Sequence, residues 1–213
     1  MDIAVIIPLF NGKEWIGEML NTVRAQSRSP SEIVVVDDES TDSSRCIVGE
    51  YSDMRLFENP GDGPNAARNH GFRKTGADVV AFLDHDDLWH PEHLQRLARV
   101  LREAPDSPAA FARKTTIHGD ETLEYPVEGL GATRHDPWED FPANRLGEPF
   151  LALIRRSALK SVGGWSTRHD GCADYHLWLR LALEGPLVVR RSVTAARRVS
   201  ESSYSKRLKS TPS

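Results

Sequence analysis

The chain opens on a continuous apolar run, Ile3-Ala4-Val5-Ile6-Ile7, after which the period of its hydrophobic positions changes. Trp15, Ile16, Met19, Leu20 and Val23 recur at the spacing of one helix face. Ile33-Val34-Val35-Val36 is a second β-branched run, closed by Asp37-Asp38, and Ser40 or Thr41 is placed to cap a helix reaching about Tyr51. Residues 54–57 make a weak third strand, and Gly63-Pro64 opens another helix, since proline suits a first helical position. Residues 78–83 form a fourth strand, and Pro91 begins a helix whose apolar face is Leu94, Leu97, Val100 and Leu101.

Continuous apolar strands separated by helices predict an α/β fold: a Rossmann-like, mostly parallel sheet with helices on both faces. Ligands of such sheets sit beyond the carboxyl ends of the strands. Here the polar clusters 8–11, 37–38 and 84–87 each follow a strand, so chain order alone gathers them along one rim. Past residue 103 the regularity weakens. A strand is expected over 109–117 and a long irregular loop over 118–148, with another strand over 149–154. A short helix over 156–162 should stop at Gly163-Gly164, a helix should run over 173–184, and the Ser/Lys/Arg-rich residues 201–213 should form a frayed tail. The reading is one domain over 1–200, with a first half over 1–104 and a smaller second half over 105–200.

Composition narrows the class. The 213 residues are 39% hydrophobic and 27% charged, ordinary for a globular domain. A formal net charge of −4 argues against nucleic-acid binding, which favours a basic footprint. No basic segment followed by a long apolar one suggests a signal peptide, and no apolar run is long enough to span a bilayer, so a cytoplasmic location is expected. Cys46 and Cys172 are isolated, form no metal pattern, and are expected to be reduced and buried.

The strongest chemical signal is Asp84-His85-Asp86-Asp87 directly after an apolar strand. Three carboxylates there repel one another, and a bound cation removes that cost. Mg²⁺ and Mn²⁺ use one or two carboxylates together with phosphate oxygens, and a histidine suits them poorly. The plain alternative is a solvated acidic turn with Asp87 capping the Pro91 helix. Asp38 either accepts a hydrogen bond from a base or ribose or caps the following helix. Arg68, in Asn65-Ala66-Ala67-Arg68-Asn69-His70-Gly71, either approaches a diphosphate or is an exposed helix arginine. Asp174 begins the last helix, as a helix-dipole acid or as a general base.

Taken together these segments resemble family 2 glycosyltransferases of GT-A fold. The resemblance runs from Ile3 to about Leu183. It rests on Val5-Ile6-Ile7-Pro8-Leu9-Phe10-Asn11, Val34-Val35-Val36-Asp37-Asp38, Ala67-Arg68-Asn69-His70-Gly71 and Phe82-Leu83-Asp84-His85-Asp86-Asp87. Val162-Gly163-Gly164-Trp165 and Asp174-Tyr175-His176-Leu177-Trp178-Leu179-Arg180 complete the family's order. The resemblance implies metal-assisted, inverting transfer of a sugar from a nucleotide sugar, a UDP-sugar by expectation, to an acceptor hydroxyl. Pro8, Phe10, Asn11, Asp38, Arg68, Asp84 and Asp86 would bind the nucleotide sugar. Asp86 and Asp84 would hold Mn²⁺ or Mg²⁺, Asp174 would be the base, and Trp165 and Asp87 would lie on the acceptor side. The acceptor, whether saccharide, lipid-linked or another hydroxyl compound, is not specified. The resemblance is compatible with peripheral membrane contact.

Two departures stand out. The usual acidic pair is Ala173-Asp174 here, and where many relatives carry a later histidine this chain has Arg197-Arg198-Val199-Ser200, so either arginine could meet the diphosphate instead. They support the rival reading of a nucleotide-sugar-binding protein that has lost turnover. A nucleotidylyltransferase would call for a Gly-rich basic loop after the first strand, which residues 8–13 lack.

Overall fold

A computed structural model describes residues 1–118, 132–135, 147–168 and 171–199. Its strands are β1 (Ile3–Leu9), β2 (Glu32–Asp37), β3 (Arg55–Glu58), β4 (Val79–Phe82), β5 (Leu88–Trp89), β6 (Ala109–His118), β7 (Ala132–His135), β8 (Ala152–Arg155) and β9 (Leu187–Val199). The helices are α1 (Ile16–Arg24), α2 (Ser44–Gly49), α3 (Gly63–Lys74), α4 (His93–Glu103), α5 (Arg156–Ser161) and α6 (Ala173–Glu184). They build one sheet in the order β3-β2-β1-β4-β8-β6-β9-β5, with β7 also pairing β9. β1, β2, β3 and β4 pair in parallel. β8 is antiparallel to both β4 and β6, and β6 is parallel to β9, so β6 and β9 run with the first four strands.

Alternation along β1 divides the core. Ile3, Val5, Ile7 and Leu9 face one layer with Ile16, Met19, Leu20 and Val23 of α1, Val48 of α2, and Leu94, Leu97 and Leu101 of α4. Ala4 and Ile6 face the other, with Leu159 of α5 and Leu177, Trp178 and Leu181 of α6. α3 lies on this second face, against β1 and β2. A Cβ built on Gly71 would come 2.4 Å from Ile6 Cγ2 and 3.3 Å from Val36 Cγ2, so the helix sits on the strands at a distance only glycine permits. Helices on both faces are therefore found as the apolar pattern implies.

Several boundaries differ in instructive ways. α2 starts at Ser44, later than expected, because Asp42 Oδ1 accepts the Ser44 N–H at 2.9 Å. Asp87 does not cap the Pro91 helix. Gln26 Oε1 accepts the Leu94 N–H at 3.0 Å, while Gln26 Nε2 donates to His90 O at 2.8 Å. The strand expected over 149–154 begins as a 3-10 turn, Pro149–Leu151, before β8. α5 ends where Gly163 and Gly164 adopt φ of +77° and +75°. The cysteines are exposed, not buried. Cys46 lies between Ser44 and Val48, the inward positions of α2, and Cys172 precedes Ala173, the first buried position of α6. Apart from β7 and residues 147–148, the loop expected over 118–148 lies outside the described residues after His118, as does the tail 201–213.

Candidate active site

The ends of β1 and β2 are tied into one loop structure. Asn11, at φ 49°, donates its N–H to Ser40 Oγ at 3.0 Å, and its Oδ1 accepts the Thr41 N–H at 2.8 Å. Lys13 N–H donates to Asp42 Oδ2 at 3.0 Å, and Glu39 also adopts positive φ, 62°. Non-glycine residues held in the left-handed region gather where surrounding contacts over-determine them. Asn11 thus shapes the rim through Ser40 and Thr41. Pro8 is buried in β1 opposite Val36, whereas Phe10 is a large apolar side chain left 41% exposed on the rim. Asp37 is buried beneath it, and its Oδ2 accepts from Ser40 N–H and Arg45, both at 3.3 Å. Asp38 is half-buried; its Oδ1 accepts from Asn59 Nδ2 at 2.6 Å, and Asn59 N–H donates to Asp37 O at 2.8 Å. Asp38 does not cap α2.

β4 delivers the acidic segment. Leu83 N–H still donates to Ile6 O at 3.1 Å, so Asp84 leaves the sheet at the same level as the β1 loop. Asp84 Oδ1 accepts from Arg68 Nη2 at 2.5 Å, and Arg68 Nη1 donates to Asn65 Oδ1 at 3.0 Å. Arg68 is 7% exposed, so it is a buried partner of the acidic cluster, not an exposed helix arginine. Its guanidinium stands 4.8 Å over the Trp165 ring, a cation–π contact. Trp165 packs edge-on against Phe82 and Trp178 at 5.2 and 5.9 Å. The Asn69 amide holds the Trp165 backbone at both ends: Oδ1 accepts its N–H at 2.9 Å, and Nδ2 donates to its carbonyl at 2.8 Å.

The other two aspartates sit among like charges. Burial raises the Asp86 carboxyl above its ordinary range and Asp84 adds to this, while His85 and Arg197 pull it back. Asp87, 5% exposed, is pushed well above the ordinary range by burial first and then by Asp86 and Asp84. Asp87 Oδ1 accepts the Arg198 N–H at 3.1 Å, so it faces β9. The His85 ring packs against the β1 loop, its Cδ2 2.7 Å from where a Gly12 Cβ would stand. Among the described residues no group of three or more His, Cys, Asp or Glu side chains is placed to cage a metal. What remains is the pair Asp84 and Asp86, one residue between them, with the charge of Asp84 raising the Asp86 carboxyl. That donor set suits a hard divalent cation that completes its shell with substrate oxygens.

β9 separates its neighbouring arginines 197 and 198. Arg198 is 2% exposed, lies 4.1 Å over the Trp15 ring, and donates to Glu18 Oε2 at 2.7 Å, binding β9 to α1. Arg197 points to the rim, where it acts on Asp86 and Asp87 and donates to Glu148 Oε1 at 3.1 Å, an oxygen shared with Lys114. Asp174 stands half-buried in the first turn of α6, its Oδ1 accepting the Tyr175 N–H at 2.8 Å.

The structure therefore joins Asp84, Arg68 and Trp165 by direct contact, and Asp86 and Asp87 to them by charge. Asn59, Asn69, Arg180 and Glu148 were not singled out by sequence reading. Only Asn69 and Arg180 lay inside recognisable motifs, and amide or guanidinium bonds to distant backbone leave no periodic signal.

An open, mostly parallel sheet with an acidic rim at its strand ends, closed by an antiparallel element and a second-half helix, is the GT-A type of α/β fold. Solved structures agree. Staphylococcus aureus TarS in complex with UDP-GlcNAc matches with a TM-score of 0.82 at 21% identity, over 100% of this chain and 62% of that one. Mannosyltransferase PcManGT from Pyrobaculum calidifontis, in complex with GDP-Man and Mn2+, matches with a TM-score of 0.74 at 22% identity, over 95% and 58%. Residues 4–163 match the family described as Glycosyl transferase family 2, and this chain belongs to that family. Among curated relatives, an uncharacterized glycosyltransferase of Nostoc is 39% identical over 108 residues, 48% of this chain and 33% of that protein. Glycosyltransferase AglE of Haloferax volcanii is 27% identical over 195 residues, 85% and 61%. The chain thus spans between a third and about three fifths of these relatives' lengths. No helix among the described residues is long and apolar enough to cross a membrane.

Proposed function

We propose that this chain transfers a sugar from a nucleoside-diphosphate sugar, a UDP-sugar first of all, to an acceptor hydroxyl with inversion. The observation that carries the reading is the strand-end cluster in which Arg68 pairs with Asp84, whose charge bears on Asp86 and Asp87. TarS was solved with UDP-GlcNAc and PcManGT with GDP-Man and Mn2+, which supports a nucleotide-sugar donor and a divalent metal.

In this reading Phe10 and Asp38 receive the base and ribose, with Asp38 held in place by Asn59. Asp86, with Asp84, holds Mn²⁺ or Mg²⁺, which when bound neutralises the leaving diphosphate. Arg197, not the occupied Arg198, is the arginine of β9 that reaches the diphosphate. Asp174 takes the proton from the acceptor hydroxyl as its oxygen attacks the anomeric carbon. The bond from that carbon to the phosphate oxygen breaks, and the electron pair leaves with the nucleoside diphosphate.

Asp174→Asn keeps the size and removes the base. Donor binding should stay near wild type while transfer from pooled nucleotide sugars falls by about 10²–10⁴-fold. Transfer at the wild-type rate with saturating donor would defeat the assignment. Donor binding without transfer in the unmutated chain would favour a nucleotide-sugar-binding protein instead.

A further inference from the structure

Arg180 ties the helix that carries Asp174 to the turn before it by hydrogen bonds. Arg180 Nη2 donates to Gly164 O at 2.7 Å, Nη1 donates to Val162 O, and Nε reaches His176 O at 3.3 Å within α6. A guanidinium presents its donors in a fixed fork, so two carbonyls on one side of it are set relative to the helix on the other. That turn is itself constrained. Gly163 and Gly164 are left-handed, and a Cβ on Gly164 would come 2.6 Å from Asn69 Oδ1. Asn69 pins the next residue, Trp165, by both backbone groups, and Trp165 lies under the guanidinium that holds Asp84. Contacts therefore run unbroken from Asp84 through Arg68, Trp165 and Gly164 to Arg180 and α6.

We propose that Arg180 is a positioning residue that fixes α6, and with it Asp174 in its first turn, against the Asp84–Arg68–Trp165 floor. It touches no reacting atom. The proposal rests on Asp174 being the base. A plain C-terminal cap on α5 would use the same two carbonyls, because basic side chains commonly satisfy the last carbonyls of a helix. The two roles differ in what depends on them: a cap supports the fold, whereas a positioning residue acts only while Asp174 has a proton to take.

The test is a double-mutant cycle on the full chain. The readout is nucleoside-diphosphate release with water as acceptor, from whichever of UDP-GlcNAc, UDP-glucose or GDP-mannose the wild type hydrolyses fastest. Arg180→Met should lower kcat by about 10–100-fold, the scale expected when a reacting group is misplaced by about an ångström. KM for the donor and calorimetric affinity for the free nucleoside diphosphate should stay within about twofold. In an Asp174→Asn background the same substitution should lower the residual rate by less than about twofold, since there is no base left to misplace. Arg180→Lys, which reaches one carbonyl but cannot fork two, should recover part of the loss, and it is read in the same cycle if the methionine variant fails to fold. Unchanged kcat in a folded variant, or equal loss in both backgrounds, overturns the role of Arg180. Asp174→Asn working at the wild-type rate overturns the base assignment beneath it.

Discussion

Gly71→Ala adds a single methyl group where α3 meets β1, and two opposing terms decide its effect. Alanine is favoured over glycine in a helix interior by about 1 kcal/mol. Against that, the new Cβ would stand 2.4 Å from Ile6 Cγ2, and both partners belong to packed elements whose backbones cannot easily part. Overpacking of this kind costs about 1–3 kcal/mol, so the net change should be a destabilisation of up to about 2 kcal/mol. Ile6→Ala removes the offending methyl and by itself should cost about 2–5 kcal/mol. In that background the 2.4 Å clash is gone, the 3.3 Å approach to Val36 Cγ2 needs only a small adjustment, and the propensity term prevails. The sign of the substitution should therefore reverse, from destabilising in the wild type to stabilising by about 1 kcal/mol in the Ile6→Ala background. Urea denaturation of the four proteins, at unchanged slope, measures this directly. Stabilisation by Gly71→Ala in the wild type would show that α3 does not sit on β1 at the distance described, and the placement of Arg68 would fall with it.

Two further outcomes follow from the site and the core. Asp38→Ala should weaken UDP binding by about 1.5–3 kcal/mol with or without Mn²⁺, whereas Asp86→Ala should remove only the Mn²⁺-dependent part; calorimetry in both conditions separates them, and an unmoved affinity in either variant refutes that residue's role. His93, fully buried against Trp89 and Thr194, has its pKa lowered from 6.5 to about 3 by burial. The unfolded chain therefore takes up this proton first, and stability falls as pH drops below 6.5, continuing toward 3, at about 1.4 kcal/mol per pH unit. Between pH 7 and 5 that is about 2 kcal/mol, and His93→Gln should flatten the profile by about that amount; an unchanged slope would mean His93 is not buried neutral.

Much of the first half was legible because its signals are local. The runs at 3–7, 33–36 and 78–83 needed no tertiary information, and each ends in the polar residues that the parallel pairing then sets on one rim. The second half was harder for identifiable reasons. β9 carries Arg190 and Arg198 at buried positions, which breaks the apolar pattern a strand is read from. Arg198 is tolerated there by the Trp15 ring and Glu18, both far away in sequence. β5, with two residues, is too short to have a period at all. Arg68 read equally well as a surface helix residue, because its burial comes from Trp165, delivered by a turn nearly a hundred residues later.

Arg197 and Arg198 of β9 show how a departure from an expected pattern can be absorbed by the fold. Successive residues on a strand point to opposite faces, so Arg197 and Arg198 cannot share one task. Arg198 faces α1, where an ion pair and an aromatic face compensate a charge that would otherwise be costly to bury. Its backbone N–H meanwhile holds Asp87, so the strand and the acidic turn are locked together at the same point. Arg197 is then left on the rim side by geometry, and its charge bears on Asp86 and Asp87. Glu148 keeps that guanidinium engaged and draws Lys114 to the same oxygen. A permanent positive charge beside the aspartates offsets part of their mutual repulsion, as a neutral histidine would not. Where the resemblance leads one to expect a histidine, Arg197 thus serves as an electrostatic partner for the acidic turn.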